Sequence, residues 1–522
     1  MSCVMRKKQV GNEQMSRTAV LASIQQLWKH LGLKDGFVEK KLVLSGDPDK
    51  VVQSSFRVGQ LAQASTALVG LAASALYGRR KSAGDAGDDR SGEKLLENAP
   101  EVKVDARHAV LCFASEAYNV VNGELSRDIW DDLAGLYATK DGYVRIHTNF
   151  PHHRQGILDL LKCAGTREAV AEALSTREAL QFEQEATDAG MCVAAVRTLA
   201  QWDLHPQAQA LRGRPPIELV KIGDAPVHNR FGIPETEKET VQRPLDGIKV
   251  LELTRVLAGP TAGRAMAGFG ADVLWITSPN LPALPVVDID TSRGKRAAQL
   301  ELNKDEDVET LRGLARECDV FLQSYRPASL EERGFGPAEL ARMRPGIVVA
   351  TLRGYGWDGP WAKKRAFDSL VQSATGLNVA EGEAWSRSQN SGTTGLRPLP
   401  IQCLDHAAGQ LLAFGIIAAL YKTTTEGGSW EVRVSLAGVG QWLRDMGQLG
   451  AEDAFKGETM PARQAPMVEE VSNLSRNYVV RNPAGKSPRT LTALKSAICL
   501  DNVPDIVAEV PGSLKCDSIK WL

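Results

Sequence analysis

LDGIKVLELTRVLAGPTAGRAMAGFGADVLWI, residues 245–276, decides the fold. Ile248–Leu253 is a short, nearly unbroken apolar run, the pattern of a strand covered on both faces. Gly259 and Pro260 open a helix near 260–268, proline being suited to a first helical turn. Ala271–Ile276 is a second apolar strand. The alternation continues through strands at Ala298–Leu302, Val320–Gln323 and Ile347–Leu352, with helices near 305–316 and 337–343. Short apolar strands alternating with helices predict a parallel, doubly wound sheet.

Such sheets bind ligands at the carboxyl ends of their strands. Those ends are Thr254-Arg255-Val256-Leu257-Ala258-Gly259-Pro260, then Thr277–Leu281, Ser324-Tyr325-Arg326-Pro327 and Arg353-Gly354-Tyr355-Gly356. The free amides at the start of the 260–268 helix can face a phosphate. The Gly259-Pro260 loop is neither a GxGxxG nor a GxxxxGK(S/T) loop, which argues against NAD and P-loop chemistry there. Ser292-Arg293-Gly294-Lys295-Arg296 reads either as a solvated turn or as a basic loop for an anionic nucleotide.

Downstream, IQCLDHAAGQLLAFGIIAAL (401–420) is a buried helix with one carboxylate, Asp405, near its start. Asp405 reads either as an N-cap or as a reactive carboxylate with small neighbours that leave room for a ligand. Upstream, residues 1–40 read as a helical lead-in, with Val20, Leu21, Ile24, Leu27 and Trp28 roughly on one face. Ser54–Tyr77 is a buried helix rich in small residues, and Gly78–Pro100 is for the most part a mobile surface loop. ASALYGRR (73–80) followed by EVKVDARHAV (101–110) echoes IAALYKTT (417–424) followed by EVRVSLAGVG (431–440), which suggests a duplicated helix–strand–helix unit. Leu61 stands in the first copy where the second has Asp405.

Residues 130–225 read as a separate α/β unit, with a hairpin over Leu136–Ile146, helices near 152–163 and 166–189, and a helix over Ala200–Leu211. His147, His152 and His153 lack a partner acid or cysteine at metal-ligand spacing, so they read as a solvated or ligand-edge loop. The polar, proline-bearing residues 225–243 read as a linker.

Composition excludes whole classes. The chain has 522 residues, more than one core accommodates. A net charge of −1 gives no global field for nucleic acid or membrane, so an anionic ligand needs a local cationic cluster. The eight cysteines are scattered and show no CxxC pair, which leaves no metal site or disulfide framework in view and fits a reduced intracellular compartment. MSCVMRKKQVGNEQ has no apolar core of a signal peptide, no apolar run approaches a membrane span, and Lys520-Trp521-Leu522 is not a peroxisomal address. The expected location is cytoplasmic.

Several stretches together resemble the family III CoA-transferases, the CaiB/BaiF family that includes formyl-CoA transferase and α-methylacyl-CoA racemase. They are 245–276, SRGKRAAQLEL (292–302), CDVFLQSYRPASLEERGFG (318–336), LRGYGWDGP (352–360), FDSLVQSATGL (367–377) and DHAAGQLLAFGIIAAL (405–420). The block 136–209 resembles the small domain of that family, which ordinarily follows the Rossmann-like part and here precedes it. The resemblance implies an α/β protein with a Rossmann-like doubly wound parallel sheet and a second, smaller α/β domain. The expected division is 1–128, helical lead-in and duplicated unit; 129–225, small domain; 226–244, linker; 245–450, CoA-binding domain; and 451–522, C-terminal extension.

The resemblance also implies roles. Asp405 stands at the position of the family's nucleophile, which carries the acyl group as an anhydride and then CoA as a thioester. Arg255, Val256, Leu257 and Ala258 stand in the first CoA loop, and Lys295 and Arg296 in the basic loop. Ser324, Tyr325 and Arg326 stand where Asn-Phe-Arg is usual, and Arg365 where some members use lysine near CoA. Thr277-Ser278-Pro279 departs from the usual glutamate and basic residue. The implied partners are an acyl-CoA and a carboxylic acid, CoA being a substrate with no further cofactor, and a homodimer. A racemase is the alternative, weakened because its Gly-His-Asp motif reads Ala366-Phe367-Asp368 and phenylalanine carries no proton. A non-catalytic CoA-binding protein is the other.

Overall fold

The computed structural model describes residues 2–82, 93–125, 130–227, 241–390, 395–481, 487, 489–504 and 509–522. The N-terminal part runs α1 (Ser2–His30), β1 (Leu42–Ser45), α2 (Val58–Ser82), β2 (Val102–Asp105) and α3 (Ala106–Cys112). A small unit follows, with β3 (Gly135–Ala138), β4 (Tyr143–Ile146), α4 (Pro151–Leu161) and β5 (Val193–Ala195). The large unit comprises β6 (Ile217–Gly223), β7 (Lys249–Leu253), α5 (Ala258–Gly268), β8 (Asp272–Thr277), β9 (Arg296–Gln299), β10 (Val320–Gln323), β11 (Val348–Arg353), α6 (Asp368–Ala374), α7 (Cys403–Thr425), β12 (Ser429–Ser435) and α8 (Leu436–Asp445). The chain closes with β13 (Ser475–Arg481), β14 (Arg489–Leu494) and β15 (Ile498–Leu500).

The large sheet has seven strands in the order β9-β8-β7-β10-β11-β12-β6. All pairings are parallel except that of β6 with β12. The inner strands are buried along nearly their whole length, which is why they read as mostly apolar runs. From β7 the chain moves outward to β8 and β9, then returns to β10 on the other side. The reversal between β7 and β10 opens a crevice at their carboxyl ends, where Thr254–Leu257 and Ser324–Arg326 emerge.

Two helices form the central layer. Both α2 and α7 are buried on every side, so neither shows an apolar face against a polar one. Each has the length and hydropathy of a membrane span, contrary to the reading that no run approaches one; 94% of the apolar window of each is covered by protein. They pack against each other, each followed by a strand and a short helix. The two units agree in detail. Asp105 caps α3 by accepting from the amide of His108, and Ser435, in the same register, caps α8 by accepting from the amide of Gly438. β2 lies between a parallel and an antiparallel neighbour, β1 and β15, as β12 lies between β11 and β6.

Several boundaries differ from the sequence reading. Residues 217–223 belong to the large sheet, not the small unit: β6 completes its edge and the small unit ends before it. The helix expected over 166–189 is two, Arg167–Ser175 and Ala179–Asp188. Within Gly78–Pro100, α2 continues to Ser82 and Glu93–Asn98 is helical; 83–92 lie outside the described residues, as do 228–240 of the expected linker. Residues 451–522 are not appended to the fold. β14 pairs with Val120–Val121, and β15 pairs with β2, so the last part of the chain is laced through the first.

Candidate active site

The crevice between β7 and β10 widens into a cavity of about 220 Å3. One wall is the loop from Arg255 to Gly259. Val256 has φ 70°, a left-handed conformation that a β-branched residue adopts only under strain. That turn leads into α5, whose N-cap residue, Leu257, donates no side-chain cap. The unfilled amides of the first turn lie at the cavity wall, where they favour an anion. Ser324, Tyr325 and Arg326 form the facing wall.

Asp405 lies on the cavity floor, 7% exposed. It is the third residue of α7 and not its cap. Capping comes from α6: Asp368 Oδ2 accepts from the amides of Leu404, at 2.8 Å, and Asp405, at 3.0 Å. Among the described residues no donor is bonded to the Asp405 carboxylate. Burial, then the charges of Asp368 and Glu116, hold its pKa well above the ordinary carboxylate range. Asp368 is pushed up to about 6, chiefly by burial. Next along α7, His406 Nε2 lies 2.9 Å from Glu116 Oε2 and its ring stacks on Phe113. Residues of the N-terminal part thereby fix the start of α7. Gly409 lets α7 approach α5, since a Cβ there would stand 2.5 Å from the Ala258 carbonyl oxygen.

Cations surround the mouth. Arg255 donates to the Pro282 carbonyl and lies over the Phe150 ring at 4.7 Å. Arg365 donates to the Gly190 carbonyl and lies 3.1 Å from His153 Nε2. Arg326 and Lys363 also line the cavity. Among the described residues none of these four is paired with a carboxylate. Burial, with Arg365 and Arg255 nearby, lowers the pKa of Arg326, the signature of a cation awaiting a counter-charge.

Of the residues expected here, Asp405, Arg255, Val256, Leu257, Ala258, Ser324, Tyr325, Arg326 and Arg365 line this one cavity. Lys295 and Arg296 do not, and their reading as a ligand-facing basic loop is corrected. Lys295 is fully buried beneath α5, paired with Glu252 at 2.8 Å and donating to the Pro260 carbonyl at 2.9 Å. Arg296 pairs with Asp272 at 2.8 Å and donates to the Lys520 carbonyl. Both charges are neutralised inside the fold, and Lys295 supports the α5 turn from behind.

The small unit closes the cavity with Phe150, His152, His153 and Cys192. The solvated reading holds only for His152, which is exposed; His147 and His153 are buried, and burial pushes both down to about 3, so they are neutral. His147 stacks flat on Phe367 at 3.6 Å. The roles of Asp368, Glu116 and Lys363 escaped the sequence reading. The one available signal was a second carboxylate, Asp368, opening another helix shortly before Asp405.

Residues 245–470 match the family model described as CoA-transferase family III. The chain is similar to the acetyl-coenzyme A transferase nodX of Hypoxylon pulicicidum, at 34% identity over 39% of this chain and 34% of that protein. It is similar to an acyl-CoA transferase of Gibberella moniliformis, at 30% identity over 60% of this chain and 52% of that one. Among solved structures it is similar to the hypothetical protein Rv3272 of Mycobacterium tuberculosis, at 28% identity over 39% of this chain and 58% of that one, with a TM-score of 0.34. The chain spans about a third to a half of the length of the curated relatives it matches. Over residues 245–470 the chain resembles CoA-transferase family III.

Proposed function

We propose that the chain moves CoA from an acyl-CoA to a carboxylic acid, with Asp405 as the group that holds each half in turn. The observation that carries this reading is a buried carboxylate lining a cavity together with four cations; among the described residues that carboxylate has no hydrogen-bond donor and those cations have no carboxylate partner. The cations suit the phosphates of CoA, and the α5 amides add to them.

The steps balance as follows. The Asp405 carboxylate attacks the thioester carbonyl carbon, the C–S bond breaks, and CoA leaves as thiolate, giving an aspartyl–acyl anhydride. The thiolate then attacks the Asp405 carbonyl carbon, which releases the donor acid as carboxylate and leaves an Asp405–CoA thioester. The acceptor carboxylate attacks that thioester, the C–S bond breaks and CoA leaves again as thiolate, giving a second anhydride; thiolate attack on its acceptor carbonyl forms the product and frees Asp405. Four acyl exchanges of modest barrier replace one difficult exchange. The absence of donors at Asp405 suits a nucleophile, because a hydrogen-bonded carboxylate gives up part of its reactivity.

Both walls of the cavity come from one chain, so this reading does not require a second copy to complete the site. The test is mass spectrometry after incubation with a panel of acyl-CoAs. A CoA adduct on the peptide containing Asp405, absent from Asp405→Asn, is the expected result. Product formation in the Asp405→Asn protein at the parent rate overturns it.

A further inference from the structure

A second cavity, of about 150 Å3, lies between α2, α5, α7 and the strands laced in from the end of the chain. Its centre lies between the two repeated units: Thr66 of α2 and Gln410 of α7 occupy the same register of the repeat, and both line it. Thr66 Oγ1, Thr261 Oγ1 and Gln410 Oε1 are buried with no hydrogen-bond partner among the described residues. Thr66 is 2% exposed and Thr261 1%. The two threonine hydroxyls can donate to an acceptor in the cavity, and leaving them unsatisfied is costly in a fold unless something there meets them.

The field in the cavity is positive. Arg264 and Arg293 both line it, and both pair with the one carboxylate of Asp290, at 2.5 and 2.8 Å. Two guanidiniums share one anion, which leaves a unit of positive charge, and Lys495 adds another at the rim. Cys112 reports the same field. Burial pushes its thiol up, but His108, Arg264 and Arg293 outweigh burial and bring it below the ordinary thiol value. Phe269, Leu500 and Val503 add apolar lining.

We propose that this cavity is a second, non-catalytic site for a small organic carboxylate with an apolar tail. The carboxylate meets the Thr66 and Thr261 hydroxyls and Arg264, and the tail packs on Phe269, Leu500 and Val503. The volume is that of a cavity that holds a benzene-sized guest. Inorganic phosphate has the charge but no tail, so it fits the polar end alone. Because α5 and α7 each carry residues of both cavities, an occupant here bears on the same two helices that present Ala258 and Asp405.

The test uses the full chain and two probes, benzoate and inorganic phosphate. Calorimetry on the Asp405→Asn protein, which retains this site, is expected to show saturable benzoate binding. The Thr66→Val, Thr261→Val, Gln410→Leu triple variant replaces three unsatisfied polar atoms with apolar ones, so it is expected to fold at least as well, and to bind benzoate at least tenfold more weakly. Benzoate is also expected to protect Cys112 from iodoacetamide, read on its own peptide. Absence of binding in the Asp405→Asn protein overturns the proposal. So does equal affinity in the triple variant, or phosphate binding as tightly as benzoate.

Discussion

Asp368 caps the helix that carries Asp405: its Oδ2 accepts from the Asp405 amide at 3.0 Å and from the Leu404 amide at 2.8 Å. The two carboxylates therefore divide two tasks that a single aspartate at a helix start ordinarily combines. Removing the cap is expected to destabilise the fold. Asp368→Ala loses about 0.5–2 kcal/mol. Asp405→Ala removes a buried carboxyl that no donor among the described residues bonds, so it is expected to leave stability unchanged or raised while abolishing transfer. Urea titration of both variants checks the pair; an Asp405→Ala protein as unstable as Asp368→Ala makes Asp405 structural.

The same pair sets the pH dependence. Asp405 reacts only when ionised, and burial together with Asp368 and Glu116 holds its pKa above the ordinary range. The acid limb of transfer is expected above the pH of an exposed carboxylate. Asp368→Asn removes one of the opposing charges and is expected to move that limb to lower pH. Stability runs in a related sense. The folded pKa of Asp368, about 6, exceeds its unfolded value, so the folded state holds that proton more tightly. The resulting contribution is full below about pH 4 and lost as pH rises through about 6. Melting curves across that window are expected to be flatter for Asp368→Asn than for the parent chain.

Gly409 is expected to tolerate no side chain. A Cβ would stand 2.5 Å from the Ala258 carbonyl oxygen and 2.7 Å from Thr261 Cβ. Gly409→Ala forces α5 and α7 apart at a cost of about 1–3 kcal/mol. Because Ala258 lies on the cavity wall, CoA binding is expected to weaken as well. Calorimetry alongside urea titration separates the two effects, and a variant with parent affinity and stability refutes the close approach.

What the sequence revealed follows from which interactions are local. β7 and β8 were legible because parallel strands covered on both faces are short and mostly apolar. Asp405 was conspicuous as a carboxylate inside an apolar helix. β6 was not legible as part of the large sheet, since its pairing with β12 joins residues far apart in sequence. Lys295 and Arg296 misled because a basic cluster looks alike whether its partners are phosphates or buried acids. A clue was present in Glu252: an acid in the middle of a buried strand requires a buried cation.

That clue leads to a comparison of two cations. Lys295 and Glu252 are both fully buried, and Glu252 Oε2 has no bond of its own. Lys295→Ala strands the Glu252 charge and withdraws support from the Pro260 carbonyl, so a loss of about 3–5 kcal/mol is expected. Arg326 faces the cavity and has no carboxylate partner among the described residues. Arg326→Ala relieves repulsion from Arg365 and Arg255, so stability is expected to hold or rise while CoA binding weakens by about 1.5–3 kcal/mol. That weakening is expected to shrink at high salt if the contact is to an exposed phosphate. The two readouts, urea midpoint and calorimetric affinity, are expected to move in opposite combinations for the two variants. If Lys295→Ala keeps its stability and loses affinity, Lys295 turns towards the ligand and the buried pair does not form.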